Sequence, residues 1–337
     1  MLNFKANKGI RIDELYGTIA MKGIPHGRSN KATPNIDKKA ALQYKKRVDE
    51  YGLKFAYLIN APINSDNLES FTAEIDWIVN VFKASSITIT SVRLMELVRR
   101  RYPDFRINIS TIAGIKSVED IRKYTDIRPQ KVILHHDVNR NFKDLERLLK
   151  FCGDNNIELE IMLNESCLRR CVRRDAHYNT LGKECDDGEF HVWCNKNKVS
   201  NPYQLLLANF IRPEDMALYE SLGVTSFKIT GRSKPEGWLA EVVKAYIEGD
   251  YDSNLVRLLG IDPKLKAEEW IYISNKSLEG FIDRFPKSGE VQDEISYCSD
   301  WIMKLFENNQ FKIAKGGIKP YTLNNELRFQ IDRNLYD

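Results

Sequence analysis

Between Leu15 and Glu248 the sequence repeats one alternation, a short apolar β-branched run followed by an amphipathic helical stretch. That beat constrains the fold more than any other feature, because strands joined through helices build a parallel sheet. The runs predict strands at Leu15–Ala20, Lys54–Asn60, Ser86–Thr90, Arg106–Thr111, Lys131–His135, Glu158–Leu163, Leu205–Ile211 and Thr225–Ile229. Helical spacing predicts Asp37–Tyr51, stopped at Gly52, then Glu69–Lys83, and Leu94–Tyr102 before Pro103. Further helices are expected at Ser117–Tyr124 with Ser117 as N-cap, at Phe142–Asn155, from Pro213, and at Pro235–Glu248. About eight strand–helix units make an α/β chain with a closed, TIM-like (β/α)8 barrel over residues 1–255. An open doubly wound sheet is the rival, weakened because no Gly-rich phosphate fingerprint follows any strand. Residues 256–337 lose the beat and read as a C-terminal extension packed on the barrel, helical near Ser299–Asn308. The beat also breaks at about 164–204, in a cysteine-rich insertion.

Composition narrows the function classes. Lysine and arginine total 51 against 47 acidic residues, so the net charge of +4 falls short of a dedicated nucleic-acid binder, although RNA stays open as a substrate. The first residues carry no apolar signal core, and nowhere do about 18 apolar residues run together. A cytoplasmic chain without membrane contact is therefore expected. In that reducing compartment the six cysteines are not a disulfide framework. Cys152 and Cys298 stand alone, whereas Cys167, Cys171, Cys185 and Cys194 share one stretch. Thiolates so close in sequence select zinc, copper(I) or an iron–sulfur cluster. Zinc knuckles favour two close pairs, and here only the first pair is close, a spacing that suits a cluster better. Buried, unligated thiols are the remaining alternative. The three-cysteine radical motif is absent, since no third cysteine follows Cys171 by two residues.

In a barrel the active site lies where the strands end, and these ends are unusually polar. They offer Tyr16, Asn60, Thr90, Ser110, His135, Asn164, Glu165, Arg212 and Lys228. Individually such residues are ordinary caps; together they form one polar mouth. Four arginines, Arg169, Arg170, Arg173 and Arg174, interleave with the first cysteine pair. They are either a solvated basic face or a means of offsetting cluster charge and holding a carboxylate or phosphate. His177 reads as a ligand, a proton donor or a packed ring.

The stretch Ser226-Phe227-Lys228-Ile229-Thr230-Gly231-Arg232-Ser233-Lys234, followed by Trp238 through Tyr246, resembles the K-I-x-G-R signature of the collagenase-like U-32 peptidase family. The cysteine segment lies upstream in the order that family uses. Glu14-Leu15-Tyr16-Gly17, Gly27-Arg28, Leu58 through Pro62, Ser110 through Ala113, Ile211 through Asp215, and Tyr251 through Leu255 extend the resemblance over about residues 10 to 260. The resemblance implies a TIM-like fold and a 4Fe-4S cluster. Members of this kind resemble oxygen-independent hydroxylases acting on ubiquinone precursors, tRNA uridine or ribosomal RNA cytidine, some with prephenate as oxygen donor, and some are halves of heterodimers with a homologous partner subunit. Carried onto this sequence, the ligands are Cys167, Cys171 and Cys194, with Cys185 as fourth. Cys298 competes for that place, and a three-cysteine cluster with one open iron is the third arrangement. Lys228 and Arg232 would stand across the mouth from the cluster and clamp an anionic substrate or oxygen donor; alternatively these two form an internal salt bridge that locks the barrel. His177 joins them as a catalytic candidate, and the expected substrate is a nucleotide, an RNA base or a small anionic or aromatic metabolite. Arg28, Asn60, His135, Arg169, Arg170 and Arg212 are candidates for substrate contact. A metal-dependent peptidase is the competing function. It lacks H-E-x-x-H and G-x-S-x-G, and the sequence offers no orienting partner for a cysteine–His177 pair.

Overall fold

The structure, a computed structural model, describes residues 2–6, 10–19, 26–27, 36–63, 68–183, 185–231 and 234–337. Arg28 and Arg232 lie outside the described residues. Two strands open the chain, β1 (Leu2–Ala6) and β2 (Ile10–Gly17). The alternation then runs α1 (Lys38–Glu50), β3 (Lys54–Ile59), α2 (Thr72–Asp76), β4 (Ser86–Ile89), α3 (Val92–Arg101), β5 (Ile107–Ile109), α4 (Val118–Arg122), β6 (Lys131–Ile133), α5 (Phe142–Asp154) and β7 (Glu158–Met162). Local chemistry starts α1 and α4 where the sequence predicts, while α3 begins at Val92, ahead of the expected Leu94. Asp37 caps α1, Ser91 caps α3, and Ser117 forms a reciprocal capping box with Asp120 on α4.

After β7 the chain departs from the beat. It forms α6 (Arg174–Gly182), α7 (Gly188–Ser200), α8 (Tyr203–Leu207) and α9 (Met216–Ser221) before β8 (Ser226–Lys228) and α10 (Glu236–Glu248). The predicted strand Leu205–Ile211 is thus overturned, because its first half is helical. Tyr203, Leu205, Leu206 and Leu207 are all buried, and a short, uniformly apolar run has no periodicity to separate strand from buried helix. Among the described residues the sheet accordingly has seven parallel strands, β2 to β8, in sequence order. In place of an eighth βα unit, β1 pairs antiparallel with both β2 and β8 and closes the curled sheet. The expectation of eight repeating (β/α) units is corrected to this seven-plus-one arrangement.

Strand alternation divides the chain's polarity. One face of β3 to β8, with Phe55, Tyr57, Ile87, Ile109, Val132, Ile161 and Phe227, joins the main core with the helices. The other face points into the barrel and is largely polar. Tyr16, Ala56 and Leu58 form a separate small apolar cluster there. Beside them the buried Lys131 on β6 reaches across to Glu14 on β2 at 3.2 Å and to Glu160 on β7 at 3.1 Å, with Glu158 at 3.3 Å. Glu160 also receives Ser226 Oγ at 3.2 Å and faces Lys228 at 3.5 Å. Burial pushes against the Lys131 charge, but the three carboxylates raise its pKa above the usual lysine value. Burial would likewise raise Glu160, yet Lys131 and Lys228 hold it below the usual carboxylate range.

The C-terminal stretch supplies α11 (Leu255–Leu258), β9 (Ile271–Ile273), α12 (Val291–Glu307), β10 (Phe311–Ile313), β11 (Ile318–Leu323) and β12 (Glu326–Ile331). The helix expected near Ser299–Asn308 starts earlier, at Val291. Phe281, Cys298, Ile302 and Phe329 belong to the same apolar core as the outward faces of the barrel strands.

Replacing Lys131 by Met removes the shared cation and leaves buried carboxylates uncompensated. The expected loss is about 3–5 kcal/mol, read as a lower urea midpoint. An unchanged midpoint would show that the interior charges are not coupled.

Candidate functional site

A cavity of about 1040 Å³ opens at the C-terminal end of the barrel. Its floor includes Tyr16, Leu58, Asn60, Thr88, Ser110 and Lys228, all from the inward faces or ends of the strands. The Lys228 ammonium lies 3.8 Å from the centre of the Tyr16 ring. The Tyr16 hydroxyl donates to the Ile229 carbonyl at 2.6 Å and fixes that ring. Asn60 Oδ1 accepts from the Gly27 amide at 3.0 Å, which ties a loop to the mouth. Gly231, the glycine of the signature, has φ +120°, and an added Cβ would come within 2.5 Å of Trp238, so both conformation and space require glycine there.

The wall is built from the segment after β7. Asn164 stitches the mouth, its amide nitrogen donating to the Thr230 and Leu258 carbonyls, each at 3.0 Å, while its oxygen accepts from the Thr230 amide at 2.7 Å. The Glu165 carboxylate then accepts from the Ser166 and Cys167 amides at 2.8 and 2.9 Å. Cys167, Cys171 and Cys194, the last on α7, all line the cavity and are half-buried. Burial raises the Cys167 thiol, Glu165 adds to the shift, and Arg174 opposes it. Cys194 and Lys198 also act on Cys167, so both stand near it. Cys185 is exposed and does not line the cavity. Cys298 is buried in the core on α12, where its pKa is pushed up to about 12 by burial, as is that of Cys152 on α5.

Among the described residues no set of three close donor atoms includes a cysteine sulfur; the sets within 4.8 Å contain only His and Asp. A tetrahedral zinc with Zn–S near 2.3 Å would need sulfurs about 3.8 Å apart. The thiols are thus spread more widely than a single-ion zinc knuckle.

The basic run divides by position. Arg169 makes a buried bidentate pair with Glu294 of α12, both bonds 2.8 Å, and also donates to Asn209 Oδ1. Arg170 reaches Glu294 and the Gly289 carbonyl. Arg212 pairs with Asp215 at 2.6 and 2.8 Å and with the Asn275 carbonyl. His135 caps the turn after β6, Nδ1 accepting from the Asp137 amide at 3.1 Å, and burial pushes it well below the usual histidine range. None of these four lines the cavity. The contacts given above for these four residues are to other parts of the chain, so the structure does not bring them together with Lys228 and the cysteines at the cavity. Arg173 and Arg174 do line it. Arg173 lies 4.7 Å over the Trp193 ring, and Arg174 donates to the Leu168 carbonyl at 2.6 Å.

His177 lines the cavity, and its Nε2 meets Asp187 Oδ2 at 3.2 Å. The same oxygen meets His191 Nε2 at 3.2 Å. Burial would raise Asp187, but the two imidazoles hold it far below the usual carboxylate range and the same contact raises His191. Sequence reasoning passed over Asp187, His191 and Lys198. The signals were present: Asp187 and His191 stand at i,i+4, and Lys198 follows Cys194 by four residues on one helix face.

The family model of peptidase family U32 matches residues 12–249, most of the chain and all seven parallel strands apart from the start of the first. The chain belongs to peptidase family U32. An uncharacterized protease of Methanocaldococcus jannaschii is 26% identical to this U32 chain over 293 residues, covering 83% of the chain and 85% of that protein. Among solved structures, the U32 peptidase Mk0906 superposes with a TM-score of 0.43 at 13% identity, covering 52% of this chain and 70% of that one. An enolase of Pseudomonas fluorescens gives 0.29 at 10% identity, covering 45% and 35%.

Lys228 faces Glu160, yet Glu160 keeps Lys131 and Ser226 when Lys228 is lost. Lys228→Met is therefore expected to cost about 1–3 kcal/mol, less than Lys131→Met in parallel urea titrations. Equal losses would show that Lys228 carries as much of the charge lock as Lys131.

Proposed function

We propose that this U32 chain is an iron–sulfur enzyme. Cys167, Cys171 and Cys194 would hold a 4Fe-4S cluster in the cavity wall, facing an anionic substrate seated over Lys228. The observation that carries this reading is that three thiols from two segments, Cys167 and Cys171 after β7 and Cys194 on α7, line one cavity with a spacing too wide for one ion. A cluster gives each iron its own thiolate, so the sulfurs belong farther apart than around a single zinc. Neither Cys185 nor Cys298 lies on that wall, which favours three protein thiolates.

When bound, such a cluster supplies one-electron transfer and, at an iron without a thiolate, a Lewis acid. The remaining work falls to the chain. Arg174 and Lys198 are buried beside Cys167, where they offset thiolate charge. Lys228 projects from β8 into the floor and attracts a carboxylate or phosphate, steadied by Tyr16 and Glu160. Asn195 donates to the Tyr336 hydroxyl at 2.8 Å, and that hydroxyl donates to Asp262 at 2.8 Å. This link holds the C-terminal tail against the cavity, which Asn195, Asp262 and Tyr336 all line. The reaction class we assign is oxygen-independent hydroxylation, or a related cluster-mediated modification, of a nucleotide, RNA base or small metabolite.

Protein purified without oxygen is expected to be brown and to contain iron and acid-labile sulfide. Single Ala replacements of Cys167, Cys171 or Cys194 should each reduce both to a small fraction of the parent, while Cys152→Ala and Cys298→Ala retain them. Stoichiometric zinc without iron, or full iron in all three wall variants, overturns the assignment. Cys185→Ser with undiminished iron would support the three-thiolate form.

A further inference from the structure

His177 on α6 and Asp187 and His191 at the start of α7 converge on one point of the cavity rim. Both imidazole Nε2 atoms lie 3.2 Å from the same oxygen, Asp187 Oδ2, and the three donor atoms all fall within 4.8 Å of one another. Metal–nitrogen and metal–oxygen bonds of about 2.0–2.2 Å place neighbouring donors about 2.9 Å apart at an octahedral ion and about 3.4 Å apart at a tetrahedral one. The observed 3.2 Å lies between those limits.

The donors are also held in place. Asp187 precedes α7, and His191 follows one turn later on the same face. The His177 ring stacks on Phe190 with centroids 5.0 Å apart and planes 9° apart, which fixes the direction of Nε2. From these observations we propose that His177, Asp187 and His191 form a mononuclear site for a divalent transition-metal ion, separate from the cysteine wall. Two imidazoles and one carboxylate suit Zn²⁺, Fe²⁺ or Co²⁺; Mg²⁺ and Ca²⁺ prefer all-oxygen shells. The site is reachable. The side chains of His177, Asp187 and His191 are 26%, 12% and 41% exposed, so an ion on them keeps positions open to the cavity, as a catalytic ion does and a structural one does not. No cysteine is among its ligands, so it stands or falls independently of the iron–sulfur reading.

The test uses the full chain purified without oxygen, with iron and sulfide measured first and loosely bound metal removed by chelator. Zn²⁺ titrated calorimetrically is expected to fill one site in the parent and in Cys194→Ser. His177→Ala, Asp187→Asn and His191→Ala should each weaken it at least about 100-fold. Co²⁺ in the same site should give visible d–d bands without the near-ultraviolet band of a cobalt thiolate. Circular dichroism melting of the metal-free variants checks the fold, and His191→Gln, which keeps a donor to Asp187, replaces His191→Ala should that variant unfold. The proposal is overturned if Zn²⁺ affinity is unchanged in the His variants, if binding disappears in Cys194→Ser and Co²⁺ shows the thiolate band, or if the parent binds no Zn²⁺ at submillimolar concentration. Iron and sulfide content reports on the cysteine wall and zinc stoichiometry on the histidines, so the two readings fail separately.

Discussion

A buried ammonium group organises the barrel. Lys131 sits among Glu14, Glu158 and Glu160, on strands from opposite sides of the ring. A charge removed from water is tolerable only when paired, so this lysine draws β2, β6 and β7 to fixed positions. It also fixes register, because a one-residue slip would carry the carboxylates to the outer face and leave the cation unpaired. The consequence extends upward. Glu160 also faces Lys228, and Lys228 is both the top of the charge network and the floor of the cavity. The barrel interior is therefore a polar column, where a TIM-like barrel ordinarily has packed branched side chains.

The cysteine wall depends on a second set of pairings, made by the arginines that accompany it. Arg169 and Arg170 reach outward to Glu294 of α12 rather than inward to a ligand. A bidentate guanidinium–carboxylate pair fixes orientation as well as distance, and here it pins the loop that carries Cys167 to the C-terminal stretch. Tyr336 fastens α7, the helix carrying Cys194, to Asp262 of the same stretch. The two cysteine-bearing segments thus meet at the mouth because the chain beyond the barrel holds both. Arg174 and Lys198 are left to face the thiols. One basic run therefore serves two purposes, and the division follows from which residues α12 reaches.

The sequence by itself determined the alternation of strand and helix, the helix caps, and the polar character of the strand ends, because each follows from local spacing and from the period of a strand or helix. It also marked the cysteine segment and the Lys228 signature as unusual. It did not decide how the ring closes: β1 earns its place only by pairing with β2 and β8, which are remote in sequence or in register from any local signal. It did not separate Leu205–Leu207 as helix from strand, since a uniformly buried run carries no period. Nor could spacing sort the four clustered cysteines into three on the wall and one exposed, or divide the arginines between structure and cavity. Those outcomes rest on where distant elements, α12 and the C-terminal tail above all, come to lie against the barrel, and only the packed tertiary structure sets that.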